Sequence, residues 1–383
     1  MFHIFIVAAQ ALLALLTLCG IGYYILCLWS ARSFLRADRP PEGFTPPVSI
    51  LKPLRGTDRE IYESFRSHCE QDYPEYEIIF GVSEPNDPAI PVVERLIREH
   101  SQRDIRLIVC PQALGTNTKV SNLIQMLPHA RYPHLLVNDS DIRVGRDYLR
   151  RVMSPFADPN VGLVTSLYRG AAGATLGSEL ESIGISTDFS AGVLAARQIE
   201  GGVHFALGST LAFSREALAA IGGFEPLVDY LADDFEMGAR ISAAGFQVVL
   251  ADVVVETFLP DYSIRAFLQH QMRWARSTRD SRRWGYLGLG LTFGLPWAML
   301  AVVAARGALW SWALLAAALM VRLAMAVVVG VAAVHDTAVL RRLWLLPLRD
   351  LVALGVWVAS YAGHTVAWRG DEFILKDGKL RPA

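Results

Sequence analysis

Apolar and polar positions follow two regimes along this chain. Met1 to Ala31 contains no Asp, Glu, Lys or Arg, and neither do Trp284 to Ala305 or Leu351 to Trp368. Gly307 to Val334 contains one charge, Arg322. A helix crossing a bilayer needs roughly 20 apolar residues, so the pattern predicts four membrane segments, at 4–28, 285–305, 308–334 and 350–368. Between the first and second, apolar runs are short and alternate with helical patterns. Val48–Leu51, Tyr76–Val82, Ile105–Cys110, His134–Val137 and Val161–Thr165 read as strands. Asp58–Glu70, with Asp58 as cap, Pro88–His100, Thr118–Leu127 and the stretch 147–156 read as helices. Strands alternating with such helices predict a mostly parallel, doubly wound α/β sheet. Further on, 175–199 reads as one long helix with few charges, Gly208–Phe213 as a strand, and Leu231–Ala244 and Ser263–Arg283 as helices.

Composition supports the division. Of 383 residues, 52% are hydrophobic and mean hydropathy is +0.31, too apolar for an ordinary soluble domain. The first segment lacks a positively charged front and is too long for a signal peptide. Arg32, Arg36 and Arg39 follow it, which by the positive-inside rule places the middle region in the cytosol. Counting four crossings puts the tail outside, although Arg369, Lys376, Lys379 and Arg381 argue against that side; a re-entrant fourth segment would return it to the cytosol. A formal net charge of −1 gives no reason to invoke nucleic acid. Cys19, Cys27, Cys69 and Cys110 show neither metal spacing nor a disulfide framework. The Ala- and Arg-rich, Lys-poor composition fits a high-GC bacterium, and hence a bacterial inner membrane.

Candidate chemistry gathers where strands end, at Lys52, Asp87 and Asp139. Asn138-Asp139-Ser140-Asp141 follows a buried strand, and ligands of open α/β sheets bind beyond the carboxyl ends of strands. Asp139 and Asp141 form a hard-oxygen claw suited to Mg²⁺ or Mn²⁺ carrying a diphosphate. Asp-Ser-Asp equally suits a plain turn. Asp233-Asp234 opens a helix, where acidic residues also satisfy the macrodipole. Arg273, Arg276, Arg279 and Arg283 recur at helical spacing. They can lie on anionic lipid, or Arg273 can present its fork to a pyrophosphate. The absence of Gly-x-Gly-x-x-Gly and of a Walker loop argues against dinucleotide and ATPase chemistry. Arg322, inside a membrane segment, flags a functional group, a paired ion with Asp350 or Asp336 as partner, or a side chain that snorkels to the interface.

Taken in order, these motifs resemble the ceramide glucosyltransferase family over nearly the whole chain. They are Ser49-Ile-Leu-Lys-Pro-Leu-Arg-Gly-Thr-Asp58, Gly81-Val-Ser-Glu-Pro-Asn-Asp-Pro88, Gly115-Thr-Asn-Thr-Lys-Val-Ser-Asn122, Asp139-Ser-Asp141, Leu231-Ala-Asp-Asp-Phe235 and His270-Gln-Met-Arg-Trp274. The resemblance implies a GT-A catalytic domain, Rossmann-like with a mostly parallel sheet, between N- and C-terminal transmembrane helices. The boundaries expected are 1–31 for the first helix, 32–262 for the cytosolic domain, 263–284 for an interfacial helix, 285–368 for the later helices and 369–383 for the tail. It also implies inverting transfer of one sugar from a UDP-sugar to a membrane-lipid hydroxyl. Asp234 would be the catalytic base and Asp139 and Asp141 would hold the metal. Asp87 would face uracil or ribose, Lys119 and Arg273 the diphosphate, and Trp274 the sugar or acceptor; a Trp there also suits a membrane-interface anchor. Position 270 departs from the family pattern, carrying His in place of Gln or Arg.

Two acceptors fit. One is the hopanoid bacteriohopanetetrol, receiving N-acetylglucosamine, toward which length, composition and His270 incline. The other is ceramide, receiving glucose. A processive polysaccharide synthase shares the acidic motifs, but three C-terminal segments are few for a sugar-conducting pore. A non-catalytic membrane scaffold or transporter would give those motifs no role.

Overall fold

The computed structural model describes residues 2–37, 43–368 and 371–382; Arg39 and Arg369, used above to orient the chain, lie outside them. The chain forms two compact units. One comprises Asp38–Gly173, Ile199–Pro260 and Gly378–Ala383; the other comprises Met1–Ala37, Ala174–Gln198 and Asp261–Asp377. Neither is contiguous. Residues 174–198, counted above within the 32–262 domain, belong with the apolar helices, and the end of the tail belongs with the sheet.

The first unit is built on an eight-stranded sheet. Its strands are β1 (Val48–Leu54), β2 (Tyr76–Val82), β3 (Asp104–Val109), β4 (His134–Val137), β5 (Ile142–Arg143), β6 (Val161–Ala171), β7 (Leu211–Ser214) and β8 (Gln247–Phe258). Their spatial order is β3-β2-β1-β4-β7-β6-β8-β5. β1 pairs in parallel with β2 and β4, β2 with β3, and β6 with β8. β7 runs antiparallel between β4 and β6, and β5 antiparallel to β8. The sheet is therefore mostly parallel, as the alternating pattern predicts. β1 and β2 are buried along their whole length, which is why they read as continuous apolar runs and not as alternation. Reversing β7 leaves β4 and β6 parallel, so Asp139 and the residues after β6 share one edge.

Several boundaries differ from expectation. The second helix runs Ile61–Cys69 behind a left-handed Glu60 that makes no side-chain cap. Asp58 does not cap it; its carboxylate accepts from the Ser140 hydroxyl, which ties the β1 loop to the Asp-Ser-Asp turn. The expected helix over 175–199 is present from Leu176 to Ile199 and carries a π-helical turn at Ile185–Phe189 between its limbs Leu176–Gly184 and Ser190–Ile199.

In the second unit, three helical stretches are long and apolar enough to cross a membrane: His3–Arg36, Leu309–Ala333 and Val339–Ser360. The segment expected at 285–305 is a pair, Arg283–Leu291 and Gly294–Ala304, bent by 47°. Pro296 removes a backbone donor early in its second limb. The segment expected at 350–368 begins earlier and ends at Ser360. Thr365–Trp368 instead pairs antiparallel with Asp371–Lys376. Close packing of the first helix is possible because Gly20 meets Gly294: a Cβ on Gly20 would lie 2.2 Å from the Gly294 Cα.

Candidate active site

Within the sheet unit, the strand ends bring together Lys119, Asp139, Asp141, Asp233 and Asp234. Lys119 sits in the first turn of helix Thr118–Met126, whose Asn117 cap accepts from the Val120 amide at 3.2 Å. Its ammonium lies 2.9 Å from Asp139 Oδ1 and 3.2 Å from Asp233 Oδ2. Burial alone would lower the Lys119 pKa, but Asp139, Asp233 and Asp234 outweigh it and hold the ammonium charged. Asn117 Nδ2 donates to the Tyr230 carbonyl at 2.8 Å and to Asp233 Oδ1 at 3.2 Å, so the lysine loop and the acidic loop are laced as one.

Asp233 and Asp234 therefore differ in work. Asp233 faces Lys119 and Asn117. Asp234 is oriented by backbone: Oδ2 accepts from the Gly208 amide at 2.7 Å and Oδ1 from its neighbour Phe235 at 2.8 Å. Burial, followed by the charge of Asp233, raises its carboxyl to about 6. Gly208 is where the two acidic motifs converge. A Cβ placed there would lie 3.1 Å from both Asp139 Oδ2 and Asp234 Oδ2, so those two oxygens are within twice that distance of each other. Sequence reading passed over Gly208, and the run Gly208-Ser209-Thr210 signalled only a strand.

Asp139 has a side chain 44% exposed, whereas Asp141 is drawn back and Thr257 Oγ1 donates to its Oδ2 at 2.5 Å. Burial, then the charge of Asp139, pushes the Asp141 carboxyl up to about 6. Two hard-oxygen carboxylates that repel one another, one reaching outward, fit a divalent ion that arrives with a diphosphate; Mg²⁺ in particular takes one or two carboxylates plus substrate phosphates. No preformed cage of three or more His, Cys, Asp or Glu exists among the described residues.

Beneath the turn lies a buried polar layer. Lys52 Nζ donates to the Asp139 carbonyl at 3.2 Å and lies 3.5 Å from His68 Nε2. Asn138 Nδ2 donates to the Ser209 carbonyl at 2.6 Å and to the Tyr148 hydroxyl at 2.8 Å. Burial lowers Lys52 to about 7 and His68 to about 3. Asn138, the first residue of the opening motif, is thus a strut holding β4 to β7. A lysine inside an apolar strand was the available signal for this layer.

Asp87 lies at the end of β2, and its carboxylate accepts from the Gly56 amide at 3.0 Å and from Ala89 at 2.8 Å. It clamps the β1 loop to the start of the next helix. Arg273 and Trp274 lie in the other unit, on helix Ile264–Ser281. There Tyr262, His270, Trp274 and Phe189 form a row, with successive ring centroids 5.6, 5.2 and 5.8 Å apart. His270 Nδ1 is 3.3 Å from Glu181 Oε1, and Gln271 Nε2 donates to Glu181 Oε2 at 2.7 Å. The histidine that departs from the family pattern thus joins an aromatic row and faces a buried glutamate.

Comparison with known proteins gives three kinds of match. The profile of glycosyl transferase family 21 covers residues 12–381. Ceramide glucosyltransferase 3 of Caenorhabditis elegans is 26% identical over 254 residues, covering 66% of this chain and 55% of that protein. Ceramide glucosyltransferase of Komagataella phaffii is 34% identical over 139 residues, 34% of this chain and 26% of its own. The chain thus spans about half or less of the length of these relatives. Among solved structures, the mannosyltransferase PcManGT from Pyrobaculum calidifontis, in complex with GDP-Man and Mn²⁺, superposes with a TM-score of 0.61 at 22% identity, covering 92% of this chain and 99% of that one. That likeness establishes a GT-A-like fold.

Proposed function

The chain belongs to glycosyl transferase family 21, and we propose that it transfers a single sugar from a UDP-sugar to the hydroxyl of a membrane lipid, with inversion at the anomeric carbon. The observation that carries this reading is the convergence of Asp139 and Asp234 on Gly208. A diphosphate-holding carboxylate and a backbone-oriented carboxylate of raised pKa stand within one sugar's reach. In the transfer, the lipid oxygen bonds to the anomeric carbon as the bond from that carbon to UDP breaks. The hydroxyl proton passes to Asp234, whose raised pKa suits a base working near neutrality. A divalent ion held by Asp139 and Asp141 would supply charge neutralisation to the departing diphosphate. Lys119 restrains Asp139 and adds a second positive charge. Asp87, by fixing the β1 loop, shapes the nucleoside side. Arg273 is assigned to the diphosphate and Trp274 to the sugar or acceptor.

For the acceptor, the names of the relatives favour ceramide with glucose. Composition and His270 favour a bacteriohopanetetrol and N-acetylglucosamine. Mass spectrometry of total lipids from cells expressing the chain, against cells expressing Asp234→Asn, decides between them. A hexosylceramide or a hexosamine-bearing hopanoid is expected in the first and is absent from the second, since loss of a general base costs about 10²–10⁴-fold. A polymer made without added lipid, or an unchanged product with Asp234→Asn, refutes the reading.

A further inference from the structure

Asp188, which the sequence did not single out, is the focus of a charge cluster in the helical unit. It stands on the π-helical turn Ile185–Phe189, and such turns inside helices recur at functional sites because they re-aim a side chain. Arg322 ion-pairs with Asp188 and holds Asp350 with two parallel hydrogen bonds of 2.9 Å. Arg349 Nη2 lies 3.6 Å from Asp188 Oδ2 and donates to Gln271 Oε1 at 3.1 Å. The space for this second guanidinium exists because residue 184 is glycine: a Cβ there would fall 2.4 Å from Arg349 Nε.

Three properties of this cluster point to a ligand. First, Arg322 and Asp350 are almost fully buried, yet the Asp188 side chain is 30% exposed. One member of a buried network opens outward. Second, Arg322 Nη1 and Arg349 Nε and Nη1 are buried without a hydrogen-bond partner. Native structures leave few such donors unmatched. Third, two guanidinium groups and two carboxylates cancel, so the cluster as a whole attracts no ion. An open carboxylate beside unmatched N–H donors matches a group that both donates and accepts, which is a hydroxyl. A phosphate would face two carboxylates and gain no net charge.

The same turn is tied to the helix bearing Arg273 and Trp274 through Phe189 against Trp274, and Arg349, beside Asp188, donates to Gln271 of that helix.

We propose that Asp188, held between Arg322 and Arg349, grips the hydroxyl-bearing head of a neutral membrane lipid and selects it over phospholipids. This rests on the lipid-acceptor reading above and names the residue that positions the acceptor. The test uses the full chain in detergent and measures equilibrium binding of a short-chain ceramide and of bacteriohopanetetrol, with phosphatidylglycerol as competitor and UDP binding as the control for fold. Wild type is expected to bind at least one of the neutral lipids and to be little displaced by phosphatidylglycerol. Asp188→Asn weakens that binding at least tenfold, Asp188→Glu restores part of it, and UDP affinity is unchanged in both. Gly184→Ala, which displaces Arg349 without changing charge, gives the same loss and stands in if Asp188→Asn does not fold. Equal lipid binding by the folded variants, or displacement by phosphatidylglycerol at equal concentration, overturns the proposal. Turnover in the same samples separates the two readings. Neutral-lipid binding that needs Asp188, without any glycolipid product, refutes the transferase reading and leaves the binding site.

Discussion

The two units place charge in opposite ways. In the sheet unit the acidic residues sit at strand ends, oriented by backbone amides, with Asp139 left nearly half exposed. In the helical unit the charges lie among apolar helices, and Arg322 is 1% exposed. Water and an incoming ion can stabilise the first arrangement, so it can keep carboxylates close together and partly unpaired. Protein groups stabilise the second, so Arg322 is met there by Asp188 and Asp350. The proposed nucleotide site is built from unfinished electrostatics, whereas the cluster among apolar helices has its electrostatics nearly complete before any ligand arrives.

That contrast can be broken by mutation. The largest effect is expected in the helical unit. Arg322→Met leaves Asp350 buried without its cation and leaves Asp188 with Arg349 alone, at a cost of about 3–5 kcal/mol. The expected outcome is loss of monodisperse protein in detergent and a lowered thermal midpoint, partly recovered by adding Asp350→Asn. An unchanged midpoint for the single variant would show that the cluster is solvated after all. In the sheet unit, Gly208→Ala should leave the thermal midpoint nearly unmoved. Its methyl would displace Asp139 or Asp234, and misplacing a reacting group by an ångström can cost on the order of 10²-fold in turnover. A variant that melts early but turns over normally would reverse the assignment. The mildest probe is pH. Asp234 accepts a proton only when ionised, and its carboxyl is raised to about 6. So kcat/KM should be flat above about 6 and fall as pH drops through it, by roughly tenfold per unit for a single group. Asp141, raised to about 6 as well, acts in the same direction and can only steepen the fall. A rate that rose on acidification would exclude Asp234 as the base.

The sequence carried the sheet well and the helical unit poorly, for a physical reason. Strand ends are local. The apolar run His134–Val137 announces that Asp139 stands at an edge, and Lys119 follows its own cap by two residues. The partners of Arg322 are remote: Asp350 is 28 residues away and Asp188 is 134. Of the two anions the sequence offered to a buried cation, Asp350 is a partner, whereas Asp336 accepts from the Ser186 hydroxyl. Asp188 was not, because 175–199 reads as an uninterrupted helix, and a π-helical turn has no residue signature. Gly208 escaped for another reason: its importance lies in what its missing side chain leaves open. The His270 departure became legible only through its neighbours Tyr262 and Glu181.

The last few residues of the chain have a consequence for topology. The Leu231 amide donates to the Gly378 carbonyl at 3.1 Å, and the Leu380 amide to the Asp229 carbonyl at 2.8 Å; Thr116 Oγ1 donates to the Leu380 carbonyl at 3.3 Å. The terminus is therefore stitched to the two loops that carry Lys119 and Asp234, on the sheet unit's own side of the bilayer. A polypeptide that leaves that unit at Pro260 and rejoins it at Gly378 must traverse the membrane an even number of times in between. Three helical stretches compete for that parity, and the bent pair Arg283–Leu291 and Gly294–Ala304 has the shortest limbs. Read as a re-entrant loop, that pair leaves Leu309–Ala333 and Val339–Ser360 as a hairpin of two crossings. With the first helix, that reading gives three crossings.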